Sequence, residues 1–384
     1  MLGRGIKKVK LGDVCHFMTG DGINVINNGH IPVYGGNGIM GYVNDSNFSR
    51  CVIIGRVGAY CGNVYFEKNK CWITDNAITF STTENIEFMY YLMKSLNLHS
   101  RRIGTSQPLI TQSILKSIEV DLPDLNDQKA IADVLSSFDD KIELNNKVIK
   151  NLEEQAQSLY KHWFIDFEFP NENGKTYKSN GGKFKQSELG LIPEDWNCLQ
   201  IYDVCKRITK KVSKNKYEVL SAINSGELIP SKEYFDKQVF SQNIERYICV
   251  EPNCFAYNPA RANIGSIGMN KFNYIGCVSP VYVVVKFEDF YEWFWEYTIK
   301  NENFKEIIKL RSSGSVRQNF DFNSFASIKI IYPSKKSVVD FNNQFLNINA
   351  KLEQLKTENQ KLTETRDYLL PKLISGEVKV RDIK

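Results

Sequence analysis

Between Leu135 and Trp163 the seam positions step by three and four without a slip: Leu135, Phe138, Ile142, Asn145, Ile149, Leu152, Ala156, Leu159 and Trp163. The same steps recur at Phe345, Ile348, Leu352, Leu355, Asn359, Leu362, Arg366, Leu369 and Leu373, each 210 residues after its counterpart. Alternating steps of three and four are the a/d seam of a heptad helix. The chain therefore contains two copies of a long helix and is built as a tandem repeat. A helix over residues 135–163 is about 40 Å long, at a rise of about 1.5 Å per residue.

Heptads this regular want a partner helix, and the nearest one is the other copy. Asn145 falls at a d position and Asn359 at an a position, and a faces d only when the two helices run antiparallel. Placing the two amides in one layer also sets Ile142 against Leu362, Ile149 against Leu355, and Leu152 against Leu352. It leaves Phe138 opposite Arg366, whose guanidinium would have to reach out to water. The alternatives are that each helix packs on its own globular domain, or pairs with a second molecule.

The rest of the chain follows the same repeat. Lys10-Leu-Gly-Asp-Val-Cys15 is echoed by Gln200-Ile-Tyr-Asp-Val-Cys205, 190 residues later. The offset grows from 190 to 210, so the second repeat carries about twenty extra residues in its globular part. Short β-type runs punctuated by Gly and Asn follow each opening: Cys51-Val-Ile-Ile, Gly62-Asn-Val-Tyr-Phe and Ala77-Ile-Thr-Phe, then Ser279-Pro-Val-Tyr-Val-Val-Val. Helical spacing appears over Phe88–Leu98 and Tyr291–Leu310. Two alternating strands, Ile118–Pro123 and Ile328–Pro333, end in proline, which cannot continue a ladder. Asn126 and Ser334 are the expected N-caps of the long helices. Asn171–Lys185 has no core-forming pattern and reads as a flexible connector.

The expected fold is thus α+β: two similar mixed α/β domains, residues 1–123 and 195–333, joined by two long helices, 124–170 and 334–384, that form an antiparallel coiled coil, with a connector at 171–194. Several classes are excluded. Nine cysteines without a Cys-x-x-Cys and four scattered histidines give neither a disulfide framework nor a zinc site, and Cys249 with Cys254 reads as a pair of buried thiols. No signal-peptide core or membrane-length apolar run is present, so a reducing cytoplasm is expected. Gly174-Lys-Thr lacks the earlier glycine of a phosphate loop, since Phe169 stands there. Asn258-Pro259 is followed by Ala260 and Arg261 rather than by the Pro-Tyr of an adenine methyltransferase, and no glycine-rich cofactor turn precedes it. No constellation suggests catalysis. The net charge of +5 points only weakly to an anionic partner.

Four motifs carry a family resemblance. They are Leu122-Pro-Asp-Leu-Asn-Asp-Gln128 with Ile131; Leu159-Tyr-Lys-His-Trp-Phe-Ile-Asp-Phe-Glu-Phe-Pro170; Ser187-Glu-Leu-Gly-Leu-Ile-Pro-Glu-Asp-Trp196; and Leu369-Leu-Pro-Lys-Leu-Ile-Ser-Gly-Glu-Val378. In this order the chain resembles the specificity subunit of type I restriction-modification systems. Asp127 departs from the usual Glu, and Tyr332-Pro-Ser-Lys-Lys-Ser lacks the Pro-Leu and Glu-Gln of the pattern. The resemblance implies a non-catalytic subunit with two target recognition domains, each reading half of a bipartite double-stranded DNA sequence. It implies docking on two modification subunits, which carry S-adenosylmethionine, and through them on restriction subunits. The chain itself would hold no cofactor and no metal.

The resemblance assigns no base-reading side chain, so candidates must come from chemistry. In each repeat a Gly/Ser/Thr loop with basic neighbours precedes the last strand. One holds Arg101, Arg102, Thr105, Ser106 and Gln107; the other holds Arg311, Ser313, Ser315, Arg317 and Gln318. Small hydroxyl residues let backbone amides approach phosphate, Arg pairs with phosphate or guanine, and Gln bonds adenine. A plain surface turn would use the same letters. A second candidate is Gly55–Gly62, with Arg56 and Tyr60, and its counterpart Asn258–Gly265, with Arg261 and Asn263; a hairpin with structural glycines explains these equally. Lys206, Arg207, Lys210 and Lys211, followed by Lys214 and Lys216, either track phosphates or form a solvated face. Two other readings of the whole chain stay open: a bipartite recognition subunit of a different methyltransferase system, and a coiled-coil adaptor that does not bind DNA.

Overall fold

The computed structural model describes residues 6–26, 28–104, 108–234, 240–312 and 319–382. They form two compact units, residues 1–149 with 353–384, and residues 150–352. Among the described residues no helix is long and apolar enough to cross a membrane.

The first unit runs β1 (Lys7–Lys10), α1 (Leu11–Val14), β2 (Cys15–Thr19), β3 (Ile31–Gly35), β4 (Gly38–Val43), β5 (Phe48–Gly55), β6 (Val64–Ile73), β7 (Ala77–Thr82), α2 (Ile86–Ser95), α3 (Gln112–Ser117), β8 (Glu119–Leu122) and the first part of α4 (Leu125–Tyr160). Its six-stranded sheet has the order β2-β7-β5-β6-β3-β4, with β3 parallel to β6 and every other pair antiparallel. Val52, Ile53 and Ile54 are fully buried on both faces of β5, as a β-branched run bounded by Gly55 should be. On one face the sheet packs under Phe88, Leu92, Ile131 and Leu135 in a core that also takes in Leu370 and Leu373.

The second unit continues α4 and adds β9 (Phe184–Ser187), β10 (Gly190–Pro193), β11 (Asn197–Gln200), α5 (Ile201–Val204), β12 (Cys205–Ile208), β13 (Glu218–Ala222), β14 (Leu228–Pro230), α6 (Ser231–Tyr234), β15 (Ile248–Val250), β16 (Phe255–Tyr257), β17 (Ile267–Met269), β18 (Gly276–Val278), β19 (Val283–Phe287), α7 (Glu292–Lys300), α8 (Glu302–Arg311), α9 (Phe322–Ala326), β20 (Lys329–Tyr332) and the start of α10 (Lys335–Ile374). Its two four-stranded sheets, β12-β19-β16-β17 and β14-β13-β18-β15, together reproduce the first unit's topology. The parallel β13–β18 pair stands where β3–β6 stands, and β6 does alone what β17 and β18 share.

The repeat extends to individual hydrogen bonds. β1 pairs with β8 from Lys7↔Leu122 to Lys10↔Glu119, and β11 with β20 from Asn197↔Tyr332 to Gln200↔Lys329. Beyond each ladder, Leu11 N donates to Ile118 O and Ile201 N to Ile328 O, both at 2.9 Å. The echoed aspartates explain themselves here: Asp13 and Asp203 accept from the backbone N–H of Lys10 (3.2 Å) and Gln200 (3.0 Å), closing the first turn of a helix too short to satisfy its own donors.

Every seam position from Leu135 to Trp163 and from Phe345 to Leu373 is buried or half-buried. In the first unit Asn145 Nδ2 donates to Asn359 Oδ1 at 2.9 Å, and Asn359 Nδ2 donates to Asn146 Oδ1 at 2.8 Å. Lys141 pairs with Glu358 at 3.4 Å, and Arg366 with Asp139. Asp139 meets Arg366 while Asn145, six residues on, meets Asn359, seven residues back, so the helices run antiparallel there. Arg366 does not simply reach for water past Phe138; it is held by Asp139 and by Asp367 at 2.7 Å. The ends of the seam belong to globular cores. Leu135, Leu370 and Leu373 share one; Ala156, Trp163 and Phe345 share the other.

Four local expectations need correction. The N-cap of α4 is Asp124, whose carboxylate accepts from Asn126 N and Asp127 N at 3.0 Å each; Asn126 already lies in the first turn. Ser334 does cap α10, accepting from Ser337 N at 3.4 Å. The helix read over Tyr291–Leu310 is two helices, because Asn301 turns extended (ψ 136°) and caps α8 by accepting from Asn303 N. In the run from Ser279, the strand begins only at Val283; Tyr282 N donates back to Ser279 O across a turn that suits Pro280. The connector 171–185 is also tied down. Tyr177 stacks on Phe169 (4.6 Å), which stacks on Trp196 (4.9 Å), and Tyr177 donates to Lys183 O at 2.6 Å. A Cβ on Gly182 would lie 2.2 Å from the Tyr177 ring, so the glycine is required.

Gln128 shows why the Leu122–Gln128 motif ends as it does. Fully buried, it donates to Glu84 (2.6 Å) and Pro123 O (3.0 Å) and accepts from Asn85 N (3.0 Å), fastening the start of α2 to the start of α4. Gln128→Ala strands these partners. It should lower unfolding free energy by about 1–3 kcal/mol, read as a shifted urea midpoint at unchanged slope.

Candidate nucleic-acid interface

In each unit one loop singled out from sequence is tied to the segment that follows another. In the first, the chain leaves β5 at Gly55 and returns to β6 through Arg56–Gly62. Ile110 N donates to Arg56 O at 2.9 Å and Gly58 N to Pro108 O at 3.0 Å, lacing this loop to the segment that follows residues 101–107. Ile103 and Leu109 exchange backbone hydrogen bonds at 2.9 and 2.8 Å. His99 adds a side-chain link. Its Nδ1 lies 3.0 Å from Cys61 O, an acceptor only, so Nδ1 carries the proton. Nε2 then accepts from Arg102 Nη1 at 2.6 Å. Gly62 sits at φ 94°, and a Cβ there would come within 2.7 Å of His99 N.

Arg101, Arg102 and Tyr60 are exposed, and Arg56 is half-buried. Arg56 Nη1 donates to Asp75 O at 2.9 Å, which orients a guanidinium whose other N–H donors remain for an incoming acceptor. Cys61 is fully buried, and burial pushes its thiol above the usual value, so it stays neutral beneath the loop. Thr105, Ser106 and Gln107 lie outside the described residues.

In the second unit Phe320 N donates to Pro259 O at 3.0 Å. Phe320 is the 210-residue counterpart of Ile110, and Pro259 belongs to the loop Asn258–Gly265, the counterpart of Arg56–Gly62. Arg261 is exposed, Asn263 half-buried, and Asn258 Oδ1 accepts from Ala260 N at 3.0 Å. Burial pushes the Tyr282 hydroxyl up, while a hydrogen bond at the Ala222 backbone and the charge of Arg261 act the other way. Asp321, capping α9, accepts from Ser324 and is held below the usual carboxylate range. Arg311 is exposed but donates to Ser327 Oγ at 2.7 Å. Ser313, Ser315, Arg317 and Gln318 lie outside the described residues.

The basic run is less coherent than the loops. Lys206 and Arg207 are neighbours in β12 and so project from opposite faces. Arg207 lies over the Phe322 ring at 5.4 Å, Lys210 pairs with Glu251 at 3.3 Å, and Lys211 is an exposed bridge partner of Ile248. Sequence reading overlooked a third loop in each unit. These are the hairpin tips at residues 35–38 and 223–227, whose Asn-Gly and Asn-Ser-Gly letters were the available signal.

Residues 4–154, which carry the first pair of laced loops, match the family model of the type I restriction modification DNA specificity domain. Over 337 residues the chain is 26% identical to the HindI specificity subunit of Haemophilus influenzae, covering 72% of each chain. Over 317 residues it is 25% identical to the MjaIX specificity subunit of Methanocaldococcus jannaschii, covering 77% of this chain and 70% of that one. The fold is similar to the crystal structure of the type I restriction-modification S subunit from M. genitalium, with TM-score 0.61, 16% identity and 97% of both chains covered. The first repeat is therefore similar to a type I DNA specificity domain. The chain as a whole resembles the specificity subunits of type I restriction enzymes.

Gly62→Ala forces a positive φ on a residue with a Cβ and drives that Cβ into the backbone of His99. The variant should lose at least about 1–3 kcal/mol of stability, measured by thermal melting. Gly58→Ala, also at positive φ but with open space around the added Cβ, should lose less.

Proposed function

We propose that this protein is the sequence-reading subunit of a type I restriction-modification system. Target recognition domains at 1–123 and 195–333 each read one half of a bipartite DNA site. The observation that carries the reading is the repeated loop pair: Ile110 to Arg56 and Phe320 to Pro259 are equivalent hydrogen bonds. Each ties an arginine-bearing loop to the segment that follows a second basic loop, in a chain whose first repeat matches the model of the type I DNA specificity domain. Arg56, Tyr60, Arg101 and Arg102 serve one half; Arg261, Asn263 and Arg311 serve the other. Thr105, Ser106, Gln107, Ser313, Ser315, Arg317 and Gln318 remain candidates on their chemistry alone. Lys206, Arg207, Lys210 and Lys211 supply at most phosphate contacts.

The chain contributes no catalytic group. Methyl transfer belongs to modification subunits, which hold S-adenosylmethionine and dock on the long helices; restriction subunits join through them. The antiparallel pair of α4 and α10 sets the gap between half-sites. The hydrogen-bonded amides of Asn145 and Asn359 support this, as does a helix length of about 40 Å, near the roughly 34–36 Å turn of B-DNA.

Co-expression with the modification subunit, followed by mapping of methylated adenines, tests the reading. The expected result is a bipartite motif with a fixed gap, and a continuous motif would overturn it. Inserting one heptad in both helices should lengthen the gap and leave both half-sites unchanged. DNA binding should weaken steeply with salt, because each phosphate contact releases counterions; a coiled-coil adaptor would show no such slope. Arg101→Ala should weaken binding about equally on all sequences if it holds phosphate, or relax one position if it reads guanine.

A further inference from the structure

The hairpin tips add to the proposed sequence-reading function, and a role for them rests on it. In the first unit the β3–β4 tip is pressed against the base of the Arg56 loop. A Cβ on Gly55 would lie 2.4 Å from Gly36 O, and one on Gly36 would lie 2.8 Å from Val57 O and 3.4 Å from Asn76 O. In the second unit the β13–β14 tip makes the corresponding approach, with a Cβ on Gly265 3.0 Å from Asn224 O. The two hairpins occupy the same place in the topology, each with its first strand parallel to a neighbour, β6 or β18.

Each tip presents an asparagine one or two residues before a glycine at φ 80°: Asn37-Gly38 and Asn224-Ser225-Gly226. Both asparagines are exposed, and neither side-chain amide is engaged with another described residue. Other asparagines of these units have structural work. Asn47 donates to Ile73 O, Asn270 to Val250 O, and Asn258 closes its own turn. Among the described residues, an unengaged amide thus stands at the hairpin tip beside the arginine-bearing loop in each unit, at corresponding places in the topology.

We propose that Asn37 and Asn224 are specificity-determining residues, each reading one adenine in its half of the DNA target. An amide offers a donor and an acceptor side by side, the complement of adenine N7 and N6–H₂ in the major groove. The small residues around each tip, Gly35, Gly36 and Gly38 in one and Ser225 and Gly226 in the other, let the backbone come close to the bases.

The test uses the full chain assembled with its modification subunit, and reads methylation across a library of sites randomised one position at a time. Asn37→Ala should relax one A·T position in one half-site, lowering discrimination by about tenfold to a hundredfold, with the other half unchanged. Asn224→Ala should do the converse. Asn37→Asp and Asn224→Asp keep the turn chemistry but remove the donor, and should lose the same adenine preference; they serve if an alanine variant melts early. If the wild-type complex shows a bipartite motif and all four variants retain it unchanged, the assignment is wrong. A uniform loss on every sequence would also overturn it, since that marks a phosphate contact. A wild-type complex that reads a continuous motif overturns the underlying function itself, and this assignment with it.

Discussion

An amide placed inside an apolar seam costs free energy unless its partner meets it in one position only, and that requirement fixes how the two long helices pass each other. Asn145 is 2% exposed and reaches Asn359 at 2.9 Å. A slip by one heptad would part the two amides, setting Asn145 against Leu352 or Arg366 and Asn359 against Phe138 or Leu152. It would also part Arg366 from Asp139 and draw Leu370 and Leu373 from the core they share with Leu135. Polar seam positions lower stability and raise specificity. Here the specificity concerns the register of the two helices within the first unit.

The helices were legible because heptads are local and repeat. The antiparallel sense followed from two asparagines at opposite parity, and their hydrogen bond agrees with it. The pairing of Arg366 was not legible in detail, because an acidic neighbour one residue from the seam, Asp139, answers the charge, and a/d spacing does not register flanking residues. Long helices hide their functions as well: the outer seam residues form globular core, and periodicity cannot tell a helix partner from a sheet.

The globular parts were legible as repeats more than as folds. The Asp13 and Asp203 echo marked a real capping arrangement, and the proline-stopped strands are β8 and β20. The parallel pairs β3–β6 and β13–β18 join segments far apart in sequence, and no local pattern announces them. The connector misled because its composition is that of a linker, whereas Tyr177 gives it one aromatic anchor on Phe169. At the candidate interface, sequence picked out the candidate loops and could not show which backbone hydrogen bonds tie the Arg56 and Asn258 loops to the segments at Ile110 and Phe320. Ile110 and Phe320 act through backbone N–H groups, which every residue but proline carries.

The ladders β1–β8 and β11–β20 close each repeat by bringing its beginning beside its end in matched register, although the intervening chain differs by about twenty residues, the growth of the offset from 190 to 210. Contour length is thereby uncoupled from attachment geometry. Loop-closure entropy rises only slowly with length, by about 0.6 kcal/mol per doubling. Residues can therefore be added or lost between the two strands at little energetic cost and without changing how the long helix leaves the domain. The frame tolerates drift in the part that faces outward, so one scaffold can carry many different surfaces.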